Sequence, residues 1–212
     1  MNAIREALSL IKNDRKAFNW INIGYFATII IGMLIIRANP EFQKQLVTLV
    51  GDAFSAGPMQ YLTGAYSNGE IIKAIGLTFF VNLVLGSFIA LTLPSLIIPF
   101  SGFVMGAYRA LVWGFLFSPD MTVLDLPKII MGIGIGLLLI FEGEAYVLGL
   151  FAAFLQSRAW VKPASVGAEN HRQGYLIGVR LTLRMYLLVI GMLLIAAIYE
   201  VILAVLILPV LV

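Results

Sequence analysis

Long apolar runs alternate with short polar connections from Trp20 to the end of the chain. A run of about 20 apolar residues is what a helix needs to cross a bilayer core. Residues 20–36, 71–93, 96–117, 128–156 and 185–208 each read as such a span. The block from Ile71 to Pro119 is too long for one crossing. Pro94 and Pro99 flank the LPSLIIP segment where it can turn. Before the first span, Ile4, Leu8 and Ile11 recur at helical spacing, with Arg5, Lys12, Arg15 and Lys16 elsewhere. Residues 1–19 are therefore expected to form an amphipathic leader lying at the membrane surface. Residues 37–70 form the longest polar connection. They contain a second amphipathic pattern after Pro40 and breaks at Gly57-Pro58 and Ser67-Asn68-Gly69. The fold class expected is all-α: a single polytopic membrane helix bundle of about five spans.

Composition agrees with this pattern. Of 212 residues, 61% are hydrophobic and 12% charged, which excludes an ordinary soluble domain. The absence of cysteine removes disulfides, thiolate metal sites and cysteine nucleophiles. The single histidine, His171, leaves no HExxH pattern. No Walker loop or Ser/His/Asp set is present, so no catalytic residue, metal or cofactor is expected. Gly132, Gly134 and Gly136 lie in a span and follow no strand, which argues against a dinucleotide loop.

The basic residues set a topology. Residues 1–19 and 157–184 hold nine cations: Arg5, Lys12, Arg15, Lys16, Arg158, Lys162, Arg172, Arg180 and Arg184. The opposite connections carry Arg37, Lys44, Lys73 and Lys128 together with Glu41, Asp52, Glu70, Asp120 and Asp125. The positive-inside rule then puts the N-terminus in the cytoplasm and the C-terminus outside a cytoplasmic (inner) membrane.

Several polar groups fall inside the spans. At 1.5 Å rise per residue, Arg109 lies roughly 12 Å deep, Glu200 roughly 13 Å and Asn82 roughly 16 Å, with Glu142 and Glu144 at roughly 16–20 Å. These five residues define an intramembrane polar layer in which one arginine faces three glutamates. By depth, Glu200 is the expected partner of Arg109. Glu142 and Glu144 stand about 200° apart on a helix, so they cannot share one ligand. Such groups either glue helices together or take part directly in transport or partner binding. Gly132 with Gly136, Gly102 with Gly106, and Gly86 are expected at close helix contacts.

Residues 79–106 carry Asn82 and Gly86 early and Ser101-Gly102 with Gly106 late; residues 196–200 read Ala-Ala-Ile-Tyr-Glu. With the basic leader, this order of features resembles the stage II sporulation protein M family of prokaryotic multi-pass membrane proteins. Ser101 stands where the family has Asn before Gly, and Gly follows four residues later. Span four resembles the family's His-Gly-x-x-Glu block, with Glu144 matching the glutamate and the histidine missing. The ending resembles the family's Ala-Ala-x-Ile-Glu. The resemblance implies a non-enzymatic membrane scaffold; the sporulation member acts with peptidoglycan-degrading partners during engulfment. The expected role is thus an assembly subunit of a larger prokaryotic membrane complex. Expected partners are membrane lipids and other membrane subunits or copies of itself, with no nucleic acid. A small transporter or proton-linked permease subunit using the Glu/Arg layer is the alternative.

Overall fold

The computed structural model describes residues 2–119 and 126–207, and every regular element among them is helical. The loop acids Asp120 and Asp125 lie outside the described residues, as does the end of the fifth predicted span beyond residue 207. Four helices are long and apolar enough to cross a membrane: Arg15–Ile36, Ile71–Ile97, Lys128–Val161 and His171–Ile207.

The leader is two pieces. Helix α1 (Asn2–Asn13) stops at Asp14, and α2 (Arg15–Ile36) starts beyond it. Asp14 is positioned to cap α2 but makes no capping hydrogen bond. Its carboxylate goes instead to Arg158, with Nη1 and Nη2 donating at 2.5 and 2.7 Å. α1 packs along the far C-terminal helix and buries Ala7, with Leu10 and Ile11 against the core. Ile4 and Leu8, expected on the same apolar face as Ile11, remain 54% and 46% exposed.

The connection after α2 folds into α3 (Pro40–Ser55) and α4 (Gln60–Ser67). Asn39 accepts from the Phe42 N–H, and Pro40 occupies the first turn, where a missing N–H leaves nothing unpaired. Gln43 on α3 donates to the carbonyls of Leu116 and Ser118, so the connection lies against the end of another helix and satisfies its last carbonyls.

The second span is longer and wider than expected. α5 (Ile71–Phe80), a π-helical segment (Val81–Thr92) and α6 (Leu93–Ile97) follow one another without a break. Pro94 falls in the first turn of α6, where it is tolerated. The chain reverses at residues 98–100, at the end of the 94–99 segment where the sequence allowed a turn. Ile98 is extended and Phe100 is left-handed with φ 66°. Two side chains hold the reversal: Ser157 Oγ accepts from the Phe100 N–H at 2.9 Å, and Ser95 Oγ from the Gly102 N–H at 2.8 Å. Helix α7 is consequently shorter than predicted, Ser101–Leu116.

Helix α8 (Leu126–Val161) is the centre of the molecule. Of its best spanning window 67% is buried, against 22% or 28% in the other three candidate spans. From Ala145 to Ala153 every residue is buried, which requires neighbours on all sides. At ~1.5 Å per residue its 36 residues reach about 54 Å, well beyond a hydrocarbon core of about 30 Å.

Helix α9 (His171–Ile202) is continuous from His171, well before the predicted start of the span at 185, and runs into a short π-helical segment (Leu203–Ile207). Asn170 caps it by accepting from the Gln173 N–H. Its buried stripe is Gly174, Gly178, Thr182, Met185, Val189, Leu193 and Ala196. Spacings of three and four put these residues on one face, which lies along α8. A Cβ at Gly178 would press on the backbone of Gln156, and one at Gly174 on the Ala159 carbonyl.

Candidate functional site

Arg109 is the one cation of α7. That helix packs on α2, on the π-helical segment and on α8, and this decides its partner. Arg109 Nη2 donates to the Tyr146 hydroxyl at 2.5 Å, and that hydroxyl donates onward to Glu142 Oε1 at 2.6 Å. The direct Arg109–Glu142 separation is longer, 3.4 Å. The Arg109 guanidinium carbon also lies 4.0 Å from the Tyr146 ring centre and 5.0 Å from that of Trp113. The expected Arg109–Glu200 pair does not form. Depth arithmetic gives height along the bundle but no azimuth, and Arg109 is turned toward α8.

Glu200 takes a neutral partner. Tyr66, on α4, donates to Glu200 Oε1 at 3.1 Å and sits 2.8 Å from Thr78 Oγ1. The polar connection 37–70 thus sends a tyrosine to an acid of α9. Glu144 faces the other side of α8, where Asn22 Nδ2 of α2 donates to it at 2.6 Å. The predicted layer is therefore divided by α8. Asn82, Arg109, Glu142 and Glu200 line one cavity, and Glu144 does not.

That cavity has a volume of about 410 Å³. Its walls are largely apolar and aromatic, including Phe54, Tyr108, Trp113 and Phe117. A few convergent polar groups in an apolar cleft of this size are the usual make-up of a small-molecule site. Asn82 is 9% exposed, and its side-chain amide pairs with none of the described residues. The Arg109 Nε is buried without a partner among them.

The glycines divide into those that admit a neighbour and those that do not. Gly86 makes room for Tyr146: a Cβ there would stand 2.8 Å from its hydroxyl and 3.3 Å from Arg109 Nη2. Gly102 lets α7 approach the Leu91 carbonyl, and Gly106 admits Leu150. Gly132 and Gly136 are not close contacts within the chain. A Cβ at either meets nothing within 4 Å among the described residues. Another close crossing joins Gly32 of α2 and Gly114 of α7, where each faces the other's backbone. Neither residue belongs to a glycine pair at four-residue spacing, so no motif flagged them.

Tyr146, Tyr66 and Asn22 were not among the residues singled out by sequence. One carried a signal: Tyr146 follows Glu142 by one helical turn. Among the described residues no group of three His, Asp or Glu side chains is placed to hold a metal ion. No family model matches the chain, and no curated protein or solved structure is significantly similar to it.

Proposed function

We propose that the chain is a non-enzymatic integral membrane subunit that assembles with other helices in a prokaryotic cytoplasmic membrane, as its resemblance to the stage II sporulation protein M family implies. The observation that carries this reading is the open glycine face of α8. Gly132 and Gly136 have the spacing that brings membrane helices together; a Cβ at either meets no described atom within 4 Å, and both border a cavity of about 280 Å³ whose far wall includes Met33, Leu116 and Phe117. Ile133 and Ile140 beside them are exposed. A helix from a partner subunit or a second copy fits there. The engulfment role of the sporulation member is not carried over.

A five-crossing arrangement suits the connectivity. α7 rises roughly 24 Å over its 16 residues, which is short for a span. It nonetheless runs between the same two ends as its neighbours: Ser118 Oγ donates to the Met33 carbonyl at one end, and Phe100 meets Ser157 at the other. The ion pairs Asp14–Arg158 and Glu6–Arg184 gather the two most basic segments at one end of the bundle. The positive-inside rule makes that end cytoplasmic.

The test is native mass spectrometry of the protein extracted in mild detergent. A defined complex is expected. Gly132→Leu with Gly136→Leu is expected to dissociate it while leaving the subunit folded. A wild-type chain that is monomeric and partner-free overturns the reading.

The cavity at Glu142 and Glu200 favours a second reading, a small permease subunit using the Glu/Arg layer. Solute or proton flux in liposomes that disappears in Glu200→Gln supports it; no flux under any gradient rejects it.

A further inference from the structure

We propose that the cavity bounded by α3, α4, the π-helical segment, α7, α8 and α9 binds a hydrophobic monovalent cation, an aryl- or alkylammonium, with Glu200 as counter-charge and the Asn82 amide as its polar contact.

The charge balance points to a cation. Arg109 contributes one positive charge, already engaged by Glu142 directly and through Tyr146. Glu200 adds a carboxyl whose described partner, Tyr66, carries no charge. No further cation is among the residues lining the cavity. Arg109 and Glu142 balance each other, which leaves Glu200 as the carboxyl able to ionise against a cationic guest. An anionic guest would have to displace Glu142 from Arg109, while a cationic guest completes the set.

The walls point to an apolar body on that cation. Phe54, Tyr108, Trp113 and Phe117 give the cavity aromatic surface, and rings attract ammonium groups through their faces. An inorganic ion would need several oxygen ligands to replace its hydration shell. The lining brings two carboxyls, Glu142 and Glu200, and among the described residues no group of three acidic or imidazole side chains is placed around one ion. Asn82 supplies the independent sign of a ligand. The residue is 9% exposed, it lines the cavity, and its amide makes no hydrogen bond to a described residue, so it is open to a guest. The π-helical backbone from Val81 to Thr92 carries it there; such widened helices recur at functional sites.

The inference goes beyond the assembly reading and gives the permease reading a substrate class. It concerns binding alone, so its failure leaves assembly untouched, and absent flux leaves it standing.

The experiment is equilibrium binding of radiolabelled benzyltrimethylammonium to the full-length protein in a maltoside detergent. Saturable binding is expected, displaced by unlabelled cation but not by its neutral carbon isostere, neopentylbenzene. Glu200→Gln is expected to weaken binding about tenfold or more, as for loss of a charge-assisted contact. Asn82→Ala is expected to weaken it less. A short-chain phosphatidylcholine competitor separates two sources of the ammonium: displacement assigns a lipid headgroup, and no displacement assigns a free amine. Either result keeps the cation site. Absent saturable binding, equal competition by the neutral isostere, or preferential binding of octanoate overturns it. The isostere and octanoate comparisons use the wild-type protein, so they stand even where a variant fails to fold.

Discussion

Arg158 grips both carboxylate oxygens of Asp14, although 144 residues separate them in the chain. This pair joins the α1–α2 break to the end of the central helix. Both side chains are about a quarter exposed, so solvent screens part of the attraction. The paired geometry is specific to a guanidinium. A double-mutant cycle with Asp14→Asn and Arg158→Met is expected to give a coupling of about 1 kcal/mol in detergent unfolding. Arg158→Lys should recover less than half of it. Full recovery by lysine would show that only charge matters.

Tyr146 connects Arg109 to Glu142 through one hydroxyl. Tyr146→Phe keeps the ring but removes both hydrogen bonds, leaving the longer direct pair. The expected loss is about 2 kcal/mol, since each bond has a charged partner. Gly86→Ala should lower stability too, by about 1–3 kcal/mol, because its methyl would press on the same hydroxyl. Thermal unfolding of the two variants beside wild type checks both values; unchanged midpoints would rule out a structural role for the triad.

The glycine that carries no pair motif and the one that does are expected to behave in opposite ways. Gly32→Ala places a methyl 2.7 Å from the Leu111 carbonyl and should cost about 1–3 kcal/mol. Gly132→Ala meets nothing among the described residues and should change subunit stability by less than about 0.5 kcal/mol. The comparison is read from denaturant titrations of the isolated subunit. Equal effects would mean that α8 does not leave this face open.

Glu70 has its carboxyl held below the usual glutamate range by the hydrogen bond from Lys73 and by that ammonium's charge. A carboxyl with a depressed folded value stabilises the fold above its unfolded value and loses that contribution as pH falls through the folded one. The pair is exposed, so the effect is small and salt-sensitive. Glu70→Gln is expected to remove a shallow acid-side decline in stability visible at low ionic strength. A titration curve identical to wild type would show that the pair contributes nothing.

The sequence by itself determined that this is an all-helical chain built of apolar runs, because burying backbone polar groups in lipid leaves a helix few alternatives. Hydropathy marked the regions of the apolar helices, and polarity picked out Asn82, Arg109, Glu142, Glu144 and Glu200 as groups that need partners. Periodicity put Glu142 and Glu144 on different sides of α8, and they engage different helices. Height along a helix also follows from counting residues.

Azimuth does not, and here tertiary structure decided. Arg109 meets Glu142 rather than Glu200 because α7 packs on α8. Glu200 finds Tyr66 because α4 is brought against α5 and the end of α9, a contact between segments 134 residues apart. Gly32 and Gly114 touch, while Gly132 and Gly136 do not, because a glycine's neighbour is set by which faces are turned together. Within the 94–99 segment that could turn, the reversal falls at its end, at residues 98–100, where Ser95 and Ser157 supply acceptors. Hydrophobicity is a property of each residue and is carried by the chain. Partnership is a property of two helix faces and exists only once the bundle has packed.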